Sequence, residues 1–536
     1  MQRAASNRSS SSHRAALCAA TALALLVAGA CRSGGGSATP TGPAGAPSST
    51  PPALPEAARA TLYGADDGDS AGAIAAGDFN GDGAPDVVFT ASAADGPDNA
   101  RPDTGEAYLF LGPFAPGEAR DALNAEHDLV VYGAQAGDQL GRALAAGDFD
   151  GDGVDDIALG APFADGPDGA RPDAGQVHVI FGSERLGTDT RRLDLAEDAA
   201  GATVFGADSE DLAGFALHAA DTDGDGAADL IIGAFWADGP GNGRPNAGEV
   251  YVTNGVSAGG RIDLAMGEQD VTVYGAEIED RLGEAVDAGD VNGDGLADLI
   301  LAAPFADGPD NERDAAGEVH IILSPPPTSI NMVDGQQAVT IVGIDPGDQI
   351  GHSIASGDAN GDGFVDVFLG AVSADGPGNQ ADLAGEAYLF LGAEGLSGTL
   401  DAAAGDAEAI IYGATGERLG RSASAGDVNS DGLADLLMAA PAAGERGGAV
   451  YVFLGRESGA YPDSSAGGDA VVEGADDTDV LGYEVFGVPP LVTADMNGDG
   501  LADVLVVAPG GDGPANSRHD SGEAYVIFAA GGRPSG

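Results

Sequence analysis

A nine-residue stretch that occurs seven times constrains the fold of this chain more than any other feature. The seven copies begin 68 to 73 residues apart. Self-similarity at a fixed period of this kind is the signature of a repeat architecture, so one array of seven units replaces a domain count based on length. The copies read DFNGDGAPD, DFDGDGVDD, DTDGDGAAD, DVNGDGLAD, DANGDGFVD, DVNSDGLAD and DMNGDGLAD.

Each copy carries the donors of a site for a hard cation. Side-chain oxygens stand at positions 1, 3, 5 and 9, a backbone carbonyl at position 7 adds one more, and the glycine at position 6 permits a sharp turn. An all-oxygen, carboxylate-rich set favours Ca²⁺, which tolerates irregular geometry better than Mg²⁺ does. The sequence therefore predicts up to seven Ca²⁺ sites.

The predicted ligands at positions 1, 3, 5, 7 and 9 are Asp78, Asn80, Asp82, Ala84, Asp86; Asp148, Asp150, Asp152, Val154, Asp156; Asp221, Asp223, Asp225, Ala227, Asp229; Asp290, Asn292, Asp294, Leu296, Asp298; Asp358, Asn360, Asp362, Phe364, Asp366; Asp427, Asn429, Asp431, Leu433, Asp435; and Asp495, Asn497, Asp499, Leu501, Asp503.

Two other interpretations of these stretches are weaker. A solvated turn explains one copy, because Asp, Asn and Gly favour turns, but it does not explain seven copies with every ligand position filled. An EF-hand requires a glutamate at position 12 and flanking helices. Position 12 is apolar in several copies, as at Phe89 and Leu159, and the residues that follow each loop are typical of a strand. We therefore expect loops that connect strand to strand.

The residues around each loop indicate four short strands per unit and no amphipathic helix. In the first unit the strands are expected over 71–78, 86–91, 106–111 and 129–134. Seven four-stranded units predict an all-β, seven-bladed β-propeller. The last unit ends after its third strand (523–528), and a spare fourth strand (61–65) precedes the first unit, so we expect the N-terminal strand to complete the last blade. An open solenoid would not need that exchange.

The repeat resembles the FG-GAP repeat of integrin α-chain propellers and their bacterial relatives. Most loops are preceded by a Leu-Gly pair, as at Leu140-Gly141, Leu282-Gly283 and Leu419-Gly420. The triplet that follows is Gly160-Ala161-Pro162 in the second copy and is relaxed in others, and the first, third and fifth copies lose the proline. The resemblance covers about 57–530. It implies a propeller with calcium loops, and it suggests adhesion by analogy only.

The N-terminus predicts export. An arginine-containing head and a short apolar run at 15–30 suit a signal peptide over 1–30. Ala28-Gly29-Ala30-Cys31 resembles a bacterial lipobox, so Cys31 is expected to be lipidated, with ordinary signal cleavage as the alternative. Residues 31–56 are expected to form a tether, 57–530 the propeller and 531–536 a tail. The chain is then anchored by lipid to the bacterial cell envelope, at the outer membrane or cell surface, or else secreted.

Composition and motifs narrow the function. The net charge of −64 argues against binding of nucleic acid and against membrane contact other than through the anchor. The sequence shows no HExxH, GxSxG or phosphate-binding loop, and carboxylates that hold a cation are poor proton donors. We therefore expect a binding or adhesion protein for an extracellular protein or glycan, and not an enzyme. The alternative is a propeller-based hydrolase or lyase.

A partner is expected on the face opposite the calcium loops. Six units place an Asp-Gly-Pro turn there, beginning at Asp95, Asp165, Asp238, Asp307, Asp375 and Asp512. Unit six has a shorter connection at 442–446, and unit seven has an insertion at 483–490, so the symmetry is broken at two neighbouring units. Neutral drift of loops is the preferred explanation of these changes, with a binding notch as the alternative. The single tryptophan, Trp236, lies in the third connection as a binding anchor or a packing residue.

Overall fold

A computed structural model describes residues 59–444, 447–474, 479–483 and 490–529. The expected signal peptide, the lipidated Cys31, the tether and the C-terminal tail lie outside these residues. Part of the short connection in unit six and most of the insertion in unit seven also lie outside them. Within the described part of the chain, no helix has both the length and the apolar character needed to span a bilayer.

The chain forms seven small sheets arranged around an axis, which confirms the predicted all-β, seven-bladed propeller. The first strand of each sheet contacts the first strands of its two neighbours, so these strands lie closest to the axis. We number the sheets as blades 1 to 7 in the order of their loops.

Listed from the axis outwards, the strands are Ile74–Gly77 (β2), Asp86–Ala91 (β3), Glu106–Phe110 (β4), Leu129–Tyr132 (β6) and Arg192–Asp194 (β10) in blade 1; Ala143–Gly147 (β7), Asp156–Ala161 (β8), Gln176–Ile180 (β9), Ala202–Phe205 (β11) and Arg261–Asp263 (β15) in blade 2; Ala216–Ala220 (β12), Asp229–Ala234 (β13), Glu249–Thr253 (β14), Val271–Tyr274 (β16) and Ser329–Asn331 (β20) in blade 3; Val286–Gly289 (β17), Asp298–Ala303 (β18), Glu318–Ile322 (β19), Val339–Val342 (β21) and Gly398–Asp401 (β25) in blade 4; Ser353–Gly357 (β22), Asp366–Ala371 (β23), Glu386–Phe390 (β24) and Ala409–Tyr412 (β26) in blade 5; Ala423–Gly426 (β27), Asp435–Ala440 (β28), Ala449–Phe453 (β29) and Ala470–Glu473 (β30) in blade 6; and Leu491–Ala494 (β31), Asp503–Ala508 (β32), Glu523–Ile527 (β33), Arg59–Tyr63 (β1) and Ala119–Asp121 (β5) in blade 7.

The second strand of every blade is the most deeply buried element. All six residues of β3, DVVFTA, are buried, and the same holds for its six counterparts. Such a strand lies between two neighbouring blades and is apolar on both faces, which explains why it reads as a continuous apolar run. The first strands are rich in alanine and glycine, as in IAAG of β2, and their small side chains suit seven strands that converge on an axis.

The ring closes through its N-terminal strand, as predicted. Strand β1 pairs antiparallel with β33, with Arg59 opposite Ile527 and Tyr63 opposite Glu523. A strand from the start of the described chain therefore completes blade 7, and the innermost strands β31 and β2 are in contact. Pairing of the two ends protects strand edges that an open array would expose.

The predicted four strands per blade are too few for five of the seven sheets. In blades 7, 1, 2, 3 and 4 a short fifth strand, contributed by the following repeat, pairs in parallel with the fourth. These segments have only three or four residues, so their sequence carries too little periodicity to predict a strand. They lie in what the sequence shows only as a variable segment between the third and fourth strands.

An arginine in the connection between the second and third strands of the blade, called the 2–3 turn below, holds each fifth strand in place. In blade 1, Arg101 donates to the carbonyl of Gly133 and pairs with Asp194, the last residue of the fifth strand, at 2.7 Å. We call this arrangement the arginine clasp. It recurs as Arg171–Asp263, Arg244–Asn331, Arg313–Asp401 and Arg518–Asp121, and these five pairs belong to the five five-stranded sheets.

Short 3-10 helices complete the connections. Five of them follow the fifth strand or its counterpart, and in three of these five the preceding aspartate caps the first turn. The helices are Pro97–Asn99, Ala122–Asn124, Pro167–Gly169, Leu264–Met266, Pro309–Asn311, Met332–Asp334, Ala402–Ala404 and Ser464–Ala466.

Candidate metal loops and the opposite face

The seven acidic loops connect the first and second strands of the seven blades, so they share one face of the ring. This confirms their predicted position between strands. The glycine at position 6 has a positive φ in every loop, for example +88° at Gly153, which explains why no larger residue stands there. The residue that follows this glycine turns the chain back towards the second strand.

Two carboxylates organise the exposed part of each loop. The aspartate at position 1 accepts the N–H of the glycine at position 6, at 2.7 Å for Gly153 and Asp148. The aspartate at position 5 accepts the N–H of position 7, at 2.9 Å for Val154 and Asp152. Both bonds occur in all seven loops. These side chains are thus held over the loop, with lone pairs left for a cation.

The aspartate at position 9 is buried and braces the loop from below. In blade 5, Asp366 accepts the N–H of Ala359 at 3.0 Å through one oxygen and the N–H of Gly392 at 2.9 Å through the other. The first bond closes the loop, and the second ties it to the connection that follows the third strand. The same pair of bonds occurs in the other six blades.

Burial raises the pKa of these bracing carboxyls. It brings the pKa to about 7 at Asp86 and Asp156, while the two backbone N–H bonds lower it in part and the other loop aspartates raise it again. The pKa lies at about 6 for Asp298, Asp366, Asp435 and Asp503 for the same reasons. A cation within the loop would favour the ionised form and counteract this shift.

Carboxylate oxygens of three aspartates come together in two of the loops. Oxygens of Asp148, Asp150 and Asp156 lie within 4.8 Å of one another, as do oxygens of Asp221, Asp223 and Asp225. Oxygens that surround Ca²⁺ at its usual distances of about 2.3–2.6 Å are no farther apart than about 5 Å, so both groups fit that ion. These loops are the two with aspartate at position 3.

The other five loops have asparagine at position 3. Its side-chain amide forms hydrogen bonds within the loop. In the first loop Asn80 donates from its NH₂ group to Asp82 at 3.1 Å and accepts the N–H of Asp82 at 2.8 Å. Asn360 has the same two partners in the fifth loop. For a cation to use these side chains, the amide oxygen has to face the carboxylates. The position-7 carbonyls remain ligands predicted from the sequence.

The opposite face is built on the six Asp-Gly-Pro turns. The aspartate of each turn accepts the N–H of the residue eight positions later, for example Asp103 to Asp95 at 3.0 Å and Asn246 to Asp238 at 3.0 Å. The remaining four turns make the same bond. Trp236 is half-buried in the third connection and packs against Phe235, with ring centroids 5.6 Å apart.

A repeated group of buried acids on this face was missed in the sequence. In blade 1, Asp69 and Glu106 are 6% and 5% exposed, and the hydroxyl of Tyr108 donates to Glu106. Burial, and then the charge of Glu106, raises the pKa of Asp69 to about 7. Burial also raises the pKa of Glu106 to about 7. A Glu-x-Tyr at the start of the third strand in several repeats was the available signal.

Related acid pairs recur in four more blades: Asp211 and Glu249, Asp280 and the half-buried Glu318, Asp348 and Glu386, and Asp479 and Glu523. Blade 2 is a natural exception, because Gln176 stands in place of the glutamate, while the buried Asp138 holds the position of Asp69.

A cavity of about 290 Å³ lies on the axis and is lined by the innermost strands of blades 3 to 7. At its wall the Nε2 atom of His218 is 3.3 Å from a carboxylate oxygen of Asp287. The hydroxyl of Ser422, which is 2% exposed, has no hydrogen-bond partner among the described residues. These polar groups come from three different repeats, so sequence spacing alone could not bring them together.

A scan against family models matches the FG-GAP repeat at residues 70–110, 140–180, 213–253, 282–322, 419–453 and 491–527. Each matched segment covers the first three strands of one blade together with its acidic loop. The chain is an FG-GAP repeat β-propeller of the integrin alpha-like type. The proposed resemblance is thereby confirmed.

Much longer proteins of two kinds are among the relatives of this propeller. Human phosphatidylinositol-glycan-specific phospholipase D is 27% identical over 413 residues, which are 72% of this chain and 46% of that protein. Integrin alpha pat-2 of Caenorhabditis briggsae is 29% identical over 251 residues, which are 44% of this chain and 19% of that protein. The chain thus spans less than half the length of these relatives.

Among solved structures, the rhamnogalacturonan lyase YesW aligns with 90% of this chain and 75% of its own chain, with a TM-score of 0.41 and 12% identity. We expected a chain that is not an enzyme. These relatives do not support that expectation, because the name of the phospholipase is the name of an enzyme.

The two roles of the loop aspartates can be separated by substitution in blade 5. Asp366→Asn should lower the free energy of unfolding of the metal-free protein by about 1–3 kcal/mol, because an amide cannot accept both buried N–H groups. Asp362→Asn keeps an oxygen for the N–H of Phe364 and should change that free energy by less than about 0.5 kcal/mol. Urea unfolding in excess chelator measures both values. Equal losses would contradict the assignment of Asp366 as a brace.

The buried acid pairs predict a loss of stability at alkaline pH. Since the folded pKa of Glu106 is raised from 4.5 to about 7, its contribution is fully present below the unfolded pKa and is lost as the pH rises through about 7. Glu106→Gln should therefore stabilise the protein by about 1–2 kcal/mol near pH 8.5, because glutamine stays neutral, and change little near pH 5.

The reverse substitution, Gln176→Glu, provides the matched control, because it creates a new acid near Asp138. It should destabilise the protein near pH 8.5 and leave the stability near pH 5 almost unchanged. Urea unfolding at both pH values, with Ca²⁺ held constant, measures the two effects. If Glu106→Gln left the difference between the two pH values as it is in the wild type, the raised pKa of Glu106 would be refuted.

Proposed function

We propose that this FG-GAP propeller is a calcium-stabilised, exported binding module. The observation that carries the proposal is the convergence of carboxylate oxygens in two of seven like loops that all lie on one face, with a bracing aspartate beneath each loop. In loops with this donor set, Ca²⁺ would supply positive charge that offsets the repulsion among three or four carboxylates. The chain's own residues hold the loop in shape through backbone N–H bonds and orient the oxygens.

The expected magnitude of this stabilisation is large. With a Kd of about 0.1 mM and about 1 mM free Ca²⁺, which is typical of extracellular modules, each site contributes about 1.4 kcal/mol. Seven independent sites contribute on the order of 10 kcal/mol, as much as the net stability of a whole domain. Calcium would therefore decide whether the ring is folded at physiological temperature.

Removal of calcium should lower the Tm by about 10 °C, since unfolding entropy scales with the number of residues in the ring. Differential scanning calorimetry with ~1 mM Ca²⁺ and with excess EDTA measures the difference. Addition of Mg²⁺ to the chelated protein serves as the control and should restore little of the loss, because Mg²⁺ requires a more regular octahedron. An unchanged Tm in EDTA would rule out a stabilising role for the loops.

We place the partner surface on the face opposite the calcium loops. The three residues after the proline of its six Asp-Gly-Pro turns vary (DNA, DGA, GNG, DNE, GNQ and ANS), and unit six has a shorter connection, whereas the loop face repeats one motif seven times. Variable loops on a rigid scaffold are where binding proteins carry specificity. The half-buried Trp236 belongs to this face and combines a large contact area with a polar N–H group. The partner class is an extracellular protein or glycan.

Glycan and protein arrays, probed with the full chain, test this function. They should be run in Ca²⁺ and in EDTA at a temperature below the Tm of the metal-free protein, so that loss of binding is distinguished from unfolding. We expect binding in Ca²⁺ that Trp236→Ala weakens without a change in Tm. Binding that survived every substitution on this face would contradict the assignment of the surface.

Export follows from the same reasoning, and the integrin alpha relatives support it. Ca²⁺ sites of this affinity fill outside the cell and not at cytosolic concentrations. We retain lipidation of Cys31 as part of the proposal, with residues 31–56 as the tether between the anchor and the ring. A lipid anchor would present the propeller at the cell envelope.

A further inference from the structure

Blade 5 lacks both the fifth strand and the arginine clasp that cover the outer edge of five other blades. The backbone of its 2–3 turn is the same, since the N–H of Ala381 donates to the carbonyl of Asp375 at 2.7 Å, as Arg101 does to Asp95 at 2.7 Å. The side chain differs, because alanine replaces the arginine of the clasp. The sheet of blade 5 has four strands and no fifth.

The segment that would supply the fifth strand lies on blade 5 without pairing as a strand. This segment, residues 456–469 of blade 6, is called the strap below. Asp463 in the strap accepts the N–H of Tyr412 at 3.4 Å, and the hydroxyl of Ser464 accepts the N–H of Ala414 at 3.0 Å. Pro462 stands immediately before Asp463, where it can donate no N–H to a neighbouring strand.

The side chain of the strap's own arginine folds back on the strap and does not form a clasp. Arg456 pairs with Asp469 at 2.5 Å, donates to the carbonyl of Ala460 at 2.9 Å and lies over the ring of Tyr461 at 4.4 Å. Its backbone N–H donates to the carbonyl of Ala359 in blade 5 at 2.8 Å, at the start of the strap. In the clasped blades the arginine belongs to the blade's own 2–3 turn and joins that turn to the fifth strand, which the following repeat contributes.

As a consequence, one backbone N–H group of β26, the outer strand of blade 5, has no hydrogen-bond acceptor in the strap. In blades 7, 1, 2 and 3 a residue at one register position donates its N–H to the fifth-strand segment, for example Thr272 to Thr328 at 3.1 Å. Ile410 holds this position in blade 5, since it faces Tyr388 as Thr272 faces Tyr251. No described carbonyl of the strap accepts the N–H of Ile410.

We propose that the outer edge of blade 5 opens more readily than the outer edges of the five clasped blades, because the strap lifts away from β26 where the arginine clasp is missing. The blade that joins the two ends of the described chain is one of the clasped blades, since Arg518 and Asp121 pair there at 2.8 Å. Opening at blade 5 separates the strap from β26 while the five clasped blades keep their pairing.

Hydrogen exchange of the full, calcium-loaded chain, resolved to single amides, tests the proposal. The N–H of Ile410 should exchange at least about tenfold faster than the N–H groups of Thr61, Val130, Thr203 and Thr272, which exchange only when a clasped edge opens. If Ile410 exchanged as slowly as those four, the proposed opening would be refuted.

Two substitutions test the arginine as the cause. Arg313→Ala removes the clasp of blade 4 and should speed exchange at Thr340, which pairs with the fifth-strand residue Thr399, by about tenfold or more. Ala381→Arg places an arginine opposite Asp463 and should slow exchange at Ile410. Thr272 in blade 3 is the internal control and should keep its wild-type rate in both variants. An unchanged rate at Thr340 in Arg313→Ala would show that the clasp does not hold the edge.

Discussion

A carboxylate that accepts two backbone N–H groups in the floor of each acidic loop is the interaction on which this propeller depends. One bond closes the loop between the first and second strands, and the other reaches the connection after the third strand, as in Asp366 with Ala359 and Gly392. Because the aspartate is fully buried, no water can replace either bond, and each lost bond leaves an unpaired N–H. The same side chain thereby links the acidic loop to the sheet beneath it, so the proposed cation binding would be coupled to blade stability.

Charge explains much of the rest of the molecule. A chain with 86 acidic and 22 basic residues has to separate, neutralise or bury carboxylates. In the loops a divalent cation would neutralise them, while on the opposite face burial raises the pKa of acids such as Asp69 and Glu106. Five of the 22 arginines form the clasps, where one guanidinium joins two repeats. The clasp arginines each bind backbone carbonyls and an acid or amide of the next repeat, so a single side chain secures a fifth strand.

The predicted strands agree with the structure where all the residues that define a strand lie within one repeat unit. Strand 86–91 was predicted with the bounds that the structure gives it, since the loop aspartate marks its start and the continuous apolar run marks its length. The pairing of Arg59–Tyr63 with the last sheet was predicted because the count of strands at the two ends required it. The first strand was predicted too long, as 71–78 instead of Ile74–Gly77, because turn residues near the Leu-Gly position are also small and apolar.

The number of blades, their order and the acidic residues of each loop follow from the amino-acid sequence alone, since each unit of about 70 residues carries one loop and the strands of one blade. The contacts between units became visible only in the folded ring: the fifth strands, the arginine clasps, the acid pairs such as Asp69 with Glu106, and the axial cavity with His218 beside Asp287. The physical reason is distance along the chain. A hydrogen bond or charge pair between residues many positions apart leaves no periodic trace, and it forms only after the ring has brought separate repeats together.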